Sequence, residues 1–132
     1  MIFVDTSFWV ALRNRRDAHH ADAAELLASV DDEPLVTSNH VRGETWTYLR
    51  RKAGHRSAVG FLDDLQRSAR VEVVHVDAEL EKRALTWVRA HDEREYSFVD
   101  ATSFTLMRAM KIREALAFDG DFTAAGFRER RG

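Results

Sequence analysis

The stretch "MIFVDTSFWVAL" (Met1–Leu12) decides the fold class, because a wholly apolar run ends abruptly at polar residues. Ile2–Val4 predicts a short strand that is buried on both faces, as strands inside parallel sheets are. The triplet Asp5–Ser7 follows at the point where such a strand reaches the carboxyl edge of its sheet, and a helix is predicted to start beside Asp5. No basic segment precedes the run, and Asp5 interrupts it well short of the roughly 20 residues that a membrane span needs. The stretch therefore predicts a strand-to-helix junction of a parallel α/β protein.

The rest of the chain alternates strand and helix patterns in the same way. Further strands are predicted at Pro34–Ser38, Val71–Val76 and Glu114–Asp119, and amphipathic helices at about 19–30, 39–53, 55–69, 78–91 and 97–110. Strands separated by such helices need crossover connections, which make neighbouring strands parallel. We expect an α/β fold, a three-layer α/β/α sandwich with a mostly parallel central sheet, that forms one domain over residues 1–132.

Composition narrows the classes of protein that this chain can belong to. Its 132 residues are 45% hydrophobic, enough for one core, and the formal net charge of −2 gives no global field that would attract a nucleic acid or a membrane. The absence of cysteine excludes disulfide scaffolds, zinc–thiolate sites and thiol catalysis, and is compatible with a reducing cytosol. We expect a soluble, cytoplasmic protein without a membrane partner.

Four acidic residues are predicted at or near the carboxyl edge of the sheet, where open α/β sheets place their functional groups. Asp5 follows the first strand and Asp119 ends the last, while Glu44 and Asp100 lie early in helices. Each has a structural alternative: a cap or turn for Asp5 and Asp119, a solvated helix position for Glu44, and a capping box with Ser97 for Asp100. The apolar neighbours of Asp100, however, predict a buried carboxylate, which needs a cation or a shifted pKa.

Together these acids predict a metal site. Carboxylates that gather at one edge repel each other, by on the order of 4 kcal/mol for unit charges 4 Å apart at an effective dielectric constant near 20. Such a cluster persists when a cation binds it. Oxygen ligands without cysteine or a convincing histidine pair favour Mg²⁺ or Mn²⁺, and Mg²⁺ bound by a few carboxylates suits hydrolysis of phosphodiesters.

Four short motifs give the chain a resemblance to a known family. "VDTS" after the first strand, "SNHVRGE" at the start of the long helix, "YSFVDATS" and "FDGDF" follow the order and spacing of PIN-domain ribonucleases. Within that family the chain looks most like the VapC toxins of bacterial VapBC toxin–antitoxin modules. Each motif is weak alone, but four in the correct order from Met1 to about Phe127 make the resemblance specific.

The resemblance implies a metal-dependent endoribonuclease, a hydrolase that cuts RNA at an Mg²⁺ or Mn²⁺ site and acts as the toxin of a type II toxin–antitoxin module. It also implies a homodimer that is neutralised by a small VapB-like antitoxin, and an RNA substrate of undetermined type: transfer RNA, a ribosomal RNA loop or messenger RNA. By motif matching, the resemblance implies that the catalytic, metal-binding acids are Asp5, Glu44, Asp100 and Asp119. It implies supporting roles for Thr6, Ser7 and Asp121.

Two alternatives stay open at the level of the residues. A structure-specific DNA nuclease of similar fold would carry the same acids, since the metal site does not distinguish ribose from deoxyribose. A non-catalytic module could instead use an acidic pocket to bind a basic segment of a partner. The convergence of acids from four distant segments favours the nuclease, because a peptide-binding groove does not need them at one point.

Overall fold

The sheet of the protein is built from five short parallel strands. In the computed structural model, which describes residues 1–131, the strands are β1 (Ile2–Val4), β2 (Leu35–Ser38), β3 (Val71–Val74), β4 (Glu114–Leu116) and β5 (Arg128–Glu129). Their order across the sheet is β3-β2-β1-β4-β5, and every neighbouring pair is parallel. The predicted α/β class with a mostly parallel sheet is confirmed.

Seven helices within residues 1–131 connect and cover the strands. They are α1 (Thr6–Arg13), α2 (His20–Ser29), α3 (Asn39–Lys52), α4 (His55–Arg67), α5 (Ala78–Ala90), α6 (Phe98–Met110) and α7 (Asp121–Ala124). None of these helices combines the length and the hydropathy that a membrane span requires.

Two predicted strands are shorter in the structure, and two elements were not predicted. The third strand ends at Val74 because the backbone N–H of Val76 leaves the ladder and donates to Asn39 Oδ1 at 2.7 Å. The fourth ends at Leu116, so Asp119 lies in a loop and not at the end of the strand. Helix α7 and strand β5 are too short, and β5 too polar, to show a periodic pattern.

The strand order creates a switch point in the middle of the sheet. The chain moves outward from β1 through β2 to β3, and then crosses to the opposite side of β1 to form β4. The loops that leave the carboxyl ends of β1 and β4 therefore diverge, which opens a crevice of the kind in which α/β proteins bind ligands. Asp5 directly follows β1, and Asp119 lies three residues after β4.

An aromatic cluster fixes the helices on the β4 side of this crevice. Phe104 of α6 is fully buried, and its ring centroid lies 4.9 Å from Phe122 of α7 and 5.2 Å from Trp87 of α5. Edge-to-face packing of this kind adds about 0.5–1.5 kcal/mol per pair to the burial itself. The cluster thus holds α6 and α7, which carry Asp100 and Asp121, in fixed relation to the sheet.

Candidate active site

Asp5 is placed by the junction between β1 and α1. It is the N-cap of α1 in extended conformation, and its Oδ2 accepts hydrogen bonds from Ser7 N at 3.1 Å and Ser7 Oγ at 2.8 Å. The Ser7 hydroxyl in turn accepts from Phe118 N at 3.0 Å, which ties this junction to the loop after β4. Asp5 is only 2% exposed, so a buried carboxylate is fixed at the carboxyl end of the central strand.

Asp100 is held by the capping box that the sequence suggested as a structural alternative. Ser97 Oγ accepts from Asp100 N, and Asp100 Oδ2 accepts from Ser97 N, both at 3.0 Å. Such reciprocal bonds satisfy two of the free N–H groups at a helix start. Asp100 is 6% exposed, so capping and burial in the crevice apply to the same carboxylate.

Asp119 lies in the loop between β4 and α7, and Asp121 is the first residue of α7. Gly120 between them has a φ of +81°, the left-handed region that favours glycine, and Asp119 Oδ1 accepts from Asp121 N at 3.1 Å. Asp121 Oδ1 also accepts a hydrogen bond from Arg94 Nε at 3.0 Å, and Arg94 Nη2 lies 2.8 Å from the same oxygen in an ion pair. The turn around Gly120 therefore directs two acids towards the same region of the molecule.

Glu44 and Thr6 complete the predicted set. Glu44 lies on α3 and is half-buried, whereas Thr6, in the first turn of α1, is 9% exposed. The Thr6 hydroxyl oxygen is buried and has no hydrogen-bond partner within residues 1–131. Buried polar groups normally have partners, so this unpaired hydroxyl beside the cavity is an exception.

The structure brings all seven predicted residues to one open cavity of about 580 Å³. One ligand oxygen from each of Asp100, Asp119 and Asp121 lies within 4.8 Å of the others. Asp5 and Glu44 line the same cavity outside that compact group.

Burial and mutual repulsion change the acidity of the cluster. Burial, followed by the charges of Asp119 and Asp100, raises the pKa of Asp5 to about 8, although the hydrogen bonds from Ser7 lower it. Burial, with the charges of Asp119, Asp121 and Glu44, raises the pKa of Asp100 to about 7, against the opposing effect of the hydrogen bond from Ser97 N. The pKa of Asp119 is raised as well, chiefly by desolvation and then by Asp121. The neighbouring charges that raise the pKa values of Asp5, Asp100 and Asp119 are those of other carboxylates.

The donor set fits a hard divalent cation. Arg94 pairs with Asp121, but within residues 1–131 no lysine, arginine or histidine forms an ion pair with Asp5, Asp100 or Asp119. The available ligands are carboxylate and hydroxyl oxygens, which Mg²⁺ and Mn²⁺ prefer. A bound cation would supply the charge whose lack raises the pKa of these acids.

The cavity also contains residues that the sequence did not single out for a functional role. Asp17, His19, Tyr48 and Glu95 line it. The ring of His19 stacks on Phe118 with a centroid separation of 4.4 Å and an interplanar angle of 3°. No local motif marks these positions, because the residues come from different parts of the chain and reach the cavity only through tertiary packing.

The fold and the acidic site define the class of the protein. The model of the PIN domain family matches residues 2–128, and the chain belongs to this family. It is 59% identical over 132 residues to the 23S rRNA-specific endonuclease VapC20 of Mycobacterium tuberculosis, covering 99% of this chain and 98% of that protein. It is 26% identical over 124 residues to a VapC ribonuclease of Archaeoglobus fulgidus, covering 91% of this chain and 78% of that protein.

Solved structures agree with this assignment. The crystal structure of M. tuberculosis VapC20, described as a sarcin–ricin loop cleaving toxin, matches with a TM-score of 0.95 and 56% identity over 100% of both chains. VapBC2 from Rickettsia felis, bound to a DNA fragment from its promoter, matches with a TM-score of 0.71 over 98% of both chains, and at 13% identity shows the shared fold. The predicted VapC-like PIN domain and the nuclease class are confirmed, whereas the roles of individual acids stay predictions.

Proposed function

We propose that this chain is a metal-dependent endoribonuclease that acts as the toxin of a VapBC-type module. The observation that carries the proposal is the group of Asp100, Asp119 and Asp121, whose ligand oxygens lie within 4.8 Å of one another beside a buried Asp5. Acids this close, with raised pKa values, make a site that gains free energy when a divalent cation binds. A divalent cation held by carboxylates in this way can promote hydrolysis of a phosphodiester.

In this proposal the cation is Mg²⁺ or Mn²⁺, and its ligands come from Asp5, Glu44, Asp100, Asp119 and Asp121. When bound, such an ion lowers the pKa of a coordinated water and stabilises negative charge on the phosphate. Asp100, Asp119 and Asp121 already bring one oxygen each within 4.8 Å of the others, so these three are proposed to form the centre of the site, with Asp5 and Glu44 as further ligands from the same cavity.

The residues around the acids hold them in place for this chemistry. Ser7 orients Asp5 through two hydrogen bonds, and Ser97 orients Asp100 through the capping box. Thr6, whose hydroxyl has no partner among the described residues, is proposed to orient an attacking water or a substrate oxygen. Rigid placement of this kind removes part of the entropic cost of bringing reactants together.

The proposed substrate is ribosomal RNA, at the sarcin–ricin loop of 23S rRNA. Support comes from the 59% identity to a 23S rRNA-specific endonuclease over nearly the whole of both chains. The further partners are a VapB-like antitoxin and a second copy of the chain in a homodimer, both expected from the VapC resemblance, and the proposed location is the cytoplasm, where ribosomes are found.

The test is cleavage of 23S rRNA by the purified protein with Mg²⁺ or Mn²⁺, in parallel with a DNA of the same loop sequence. Cleavage of the RNA alone, at one position, supports the proposal, whereas cleavage of the DNA would favour the alternative nuclease. Asp5→Asn and Asp100→Asn should abolish cleavage, and Asp63→Asn, an exposed acid on α4, should not. Retained cleavage in either site variant would overturn the assignment of these acids. A wild-type protein that binds a basic peptide but neither metal would favour the binding module.

A further inference from the structure

Glu129 is a buried carboxylate outside the predicted site. It lies on the edge strand β5, and its side chain is 3% exposed. A carboxylate in such surroundings is costly unless it is paired and hydrogen-bonded. The groups that donate hydrogen bonds to Glu129 therefore indicate which part of the structure it stabilises.

Two backbone partners of Glu129 lie on the segment that carries two of the site acids, which consists of the loop after β4 and helix α7. Glu129 Oε2 accepts from Thr123 N at 2.9 Å, and Oε1 accepts from Gly120 N at 3.3 Å. Gly120 separates Asp119 from Asp121, and Thr123 is in the first turn of α7. One carboxylate from β5 thus holds the backbone on both sides of Asp121.

Arg131 connects Glu129 to the start of the loop that follows β4. Its Nη2 donates to Glu129 Oε1 at 3.0 Å, and its Nη1 donates to Ala117 O at 2.8 Å. The guanidinium also lies over the ring of Phe118, 5.3 Å from the centroid. Glu129 and Arg131 together contact the segment 117–123 at Ala117, Phe118, Gly120 and Thr123. Asp119 and Asp121 lie between these contacts along the chain.

We infer that Glu129, supported by Arg131, is a positioning residue that fixes Asp119 and Asp121 in the geometry that binds the metal. The inference rests on the proposed function. A carboxylate suits this role because both of its oxygens accept, so it can bind two N–H groups and a guanidinium at once. Glutamine has a single acceptor oxygen, and its NH₂ group would face one of the two backbone donors.

The inference can be tested without activity. In Glu129→Gln, amide hydrogen exchange of Gly120 and Thr123 should accelerate in the metal-free protein, because one of their bonds is lost. The Kd for Mn²⁺, measured by calorimetry, should rise by about 10- to 100-fold, as when outer partners of metal ligands are removed. Cleavage should show a lower kcat and an unchanged KM for RNA.

Glu114→Gln is the matched control. Glu114 lies on the neighbouring strand β4 and, like Glu129, pairs with an arginine of the C-terminal segment, Arg130, at 3.4 Å. Both of its ion-pair partners, Arg130 and Arg128, lie outside the segment 117–123. This variant should leave both the amide exchange of the loop and the Kd for Mn²⁺ unchanged.

Three results would overturn the inference. The first is unchanged amide exchange at Gly120 and Thr123 in Glu129→Gln. The second is faster exchange with an unchanged Kd for Mn²⁺, which would leave Glu129 a purely structural role.

If Glu129→Gln does not fold, Arg131→Gln takes its place with the same expectations. An unchanged Kd for Mn²⁺ in Arg131→Gln is the third result that would overturn the inference. Failure of the wild-type protein to bind Mn²⁺ or cut RNA would instead refute the proposed function.

Discussion

Ser7 and Asp5 are joined by two hydrogen bonds that converge on one oxygen, from Ser7 N at 3.1 Å and Ser7 Oγ at 2.8 Å to Asp5 Oδ2. The same hydroxyl accepts from Phe118 N, so a single serine connects the end of β1 with the loop after β4. These are the two segments that diverge at the switch point of the sheet. The serine therefore sets the separation between Asp5 and the loop of Asp119.

Ser7→Ala should weaken both the fold and the site. Removing a hydroxyl that is hydrogen-bonded to the buried Asp5 carboxyl group and to Phe118 N lowers the free energy of unfolding by about 1–3 kcal/mol. The pKa of Asp5 should rise further, because the bond from Ser7 lowers it in the wild type. Urea unfolding measures the loss of stability, and calorimetric titration with Mn²⁺ measures the effect on the Kd of the site.

Ser29→Ala is the control for this variant. Ser29 Oγ donates to Leu26 O at 2.7 Å within α2, away from the acids, so its loss should leave the Kd for Mn²⁺ unchanged. Equal effects of the two substitutions on that Kd would show that Ser7 has no special connection with the site.

The metal-free protein should lose stability as the pH rises from about 4 to about 8. The pKa values of Asp5 and Asp100 are raised in the folded state, to about 8 and about 7, so between the unfolded and folded values the native state binds more protons than the unfolded state. Stability is therefore fully present below the unfolded pKa and falls as these acids ionise, by on the order of a few kcal/mol. Urea unfolding in the presence of a chelator, across this pH range, measures the slope.

Asp5→Asn should flatten this dependence and make the metal-free protein more stable at pH 8 than the wild type. Asp63→Asn, which changes an exposed acid on α4, should keep the wild-type slope. A wild-type protein that is as stable at pH 8 as at pH 5 without metal would contradict the raised pKa of Asp5.

Much of this site could be predicted from the sequence because its acids follow recognisable local patterns. The apolar run Ile2–Val4 before Asp5 marks a buried strand end, and Ser97 with Asp100 marks a helix start. Parallel strands bring their carboxyl ends to one edge, so local patterns were enough to place these acids near each other.

The residues that support the acids could not be predicted in this way. Glu129 lies on a strand of two residues without an apolar pattern, and His19 reaches the cavity only by packing on Phe118. Ser7 was predicted only as a supporting residue, and its bond to Phe118 spans 111 positions of the chain. Contacts between such distant residues leave no signal in a single sequence.

Metal binding should release protons in an amount that depends on pH. At pH 6, below the raised pKa values, Asp5 and Asp100 are largely protonated in the metal-free protein, and Mn²⁺ would displace up to about two protons. At pH 8, where Asp100 is mostly ionised and Asp5 about half ionised, the release should be smaller. Calorimetry in buffers with different enthalpies of ionisation gives the number of protons directly, and equal release at both pH values would refute this linkage.

Arg94→Gln should strengthen metal binding. In the metal-free protein the Arg94 guanidinium occupies Asp121 Oδ1 through two nitrogens, at 2.8 and 3.0 Å, and adds positive charge beside the acids. Its removal frees a ligand oxygen and removes a repulsion of about 1 kcal/mol per pair of unit charges 4 Å apart in water-like surroundings, so the Kd for the divalent Mn²⁺ should fall by at least about fivefold.

The stability of the metal-free Arg94→Gln protein should fall by no more than about 1 kcal/mol, because the arginine is well exposed and such pairs contribute little. Arg83→Gln is the control, since Arg83 pairs with Glu79 on the exposed face of α5 at 3.6 Å and should leave the Kd for Mn²⁺ unchanged. Weaker Mn²⁺ binding in Arg94→Gln would mean that the guanidinium holds Asp121 in place for the metal and does not compete with it. Measuring the Kd at 0.05 and 0.5 M salt separates the two roles, because only the charge repulsion is screened by salt.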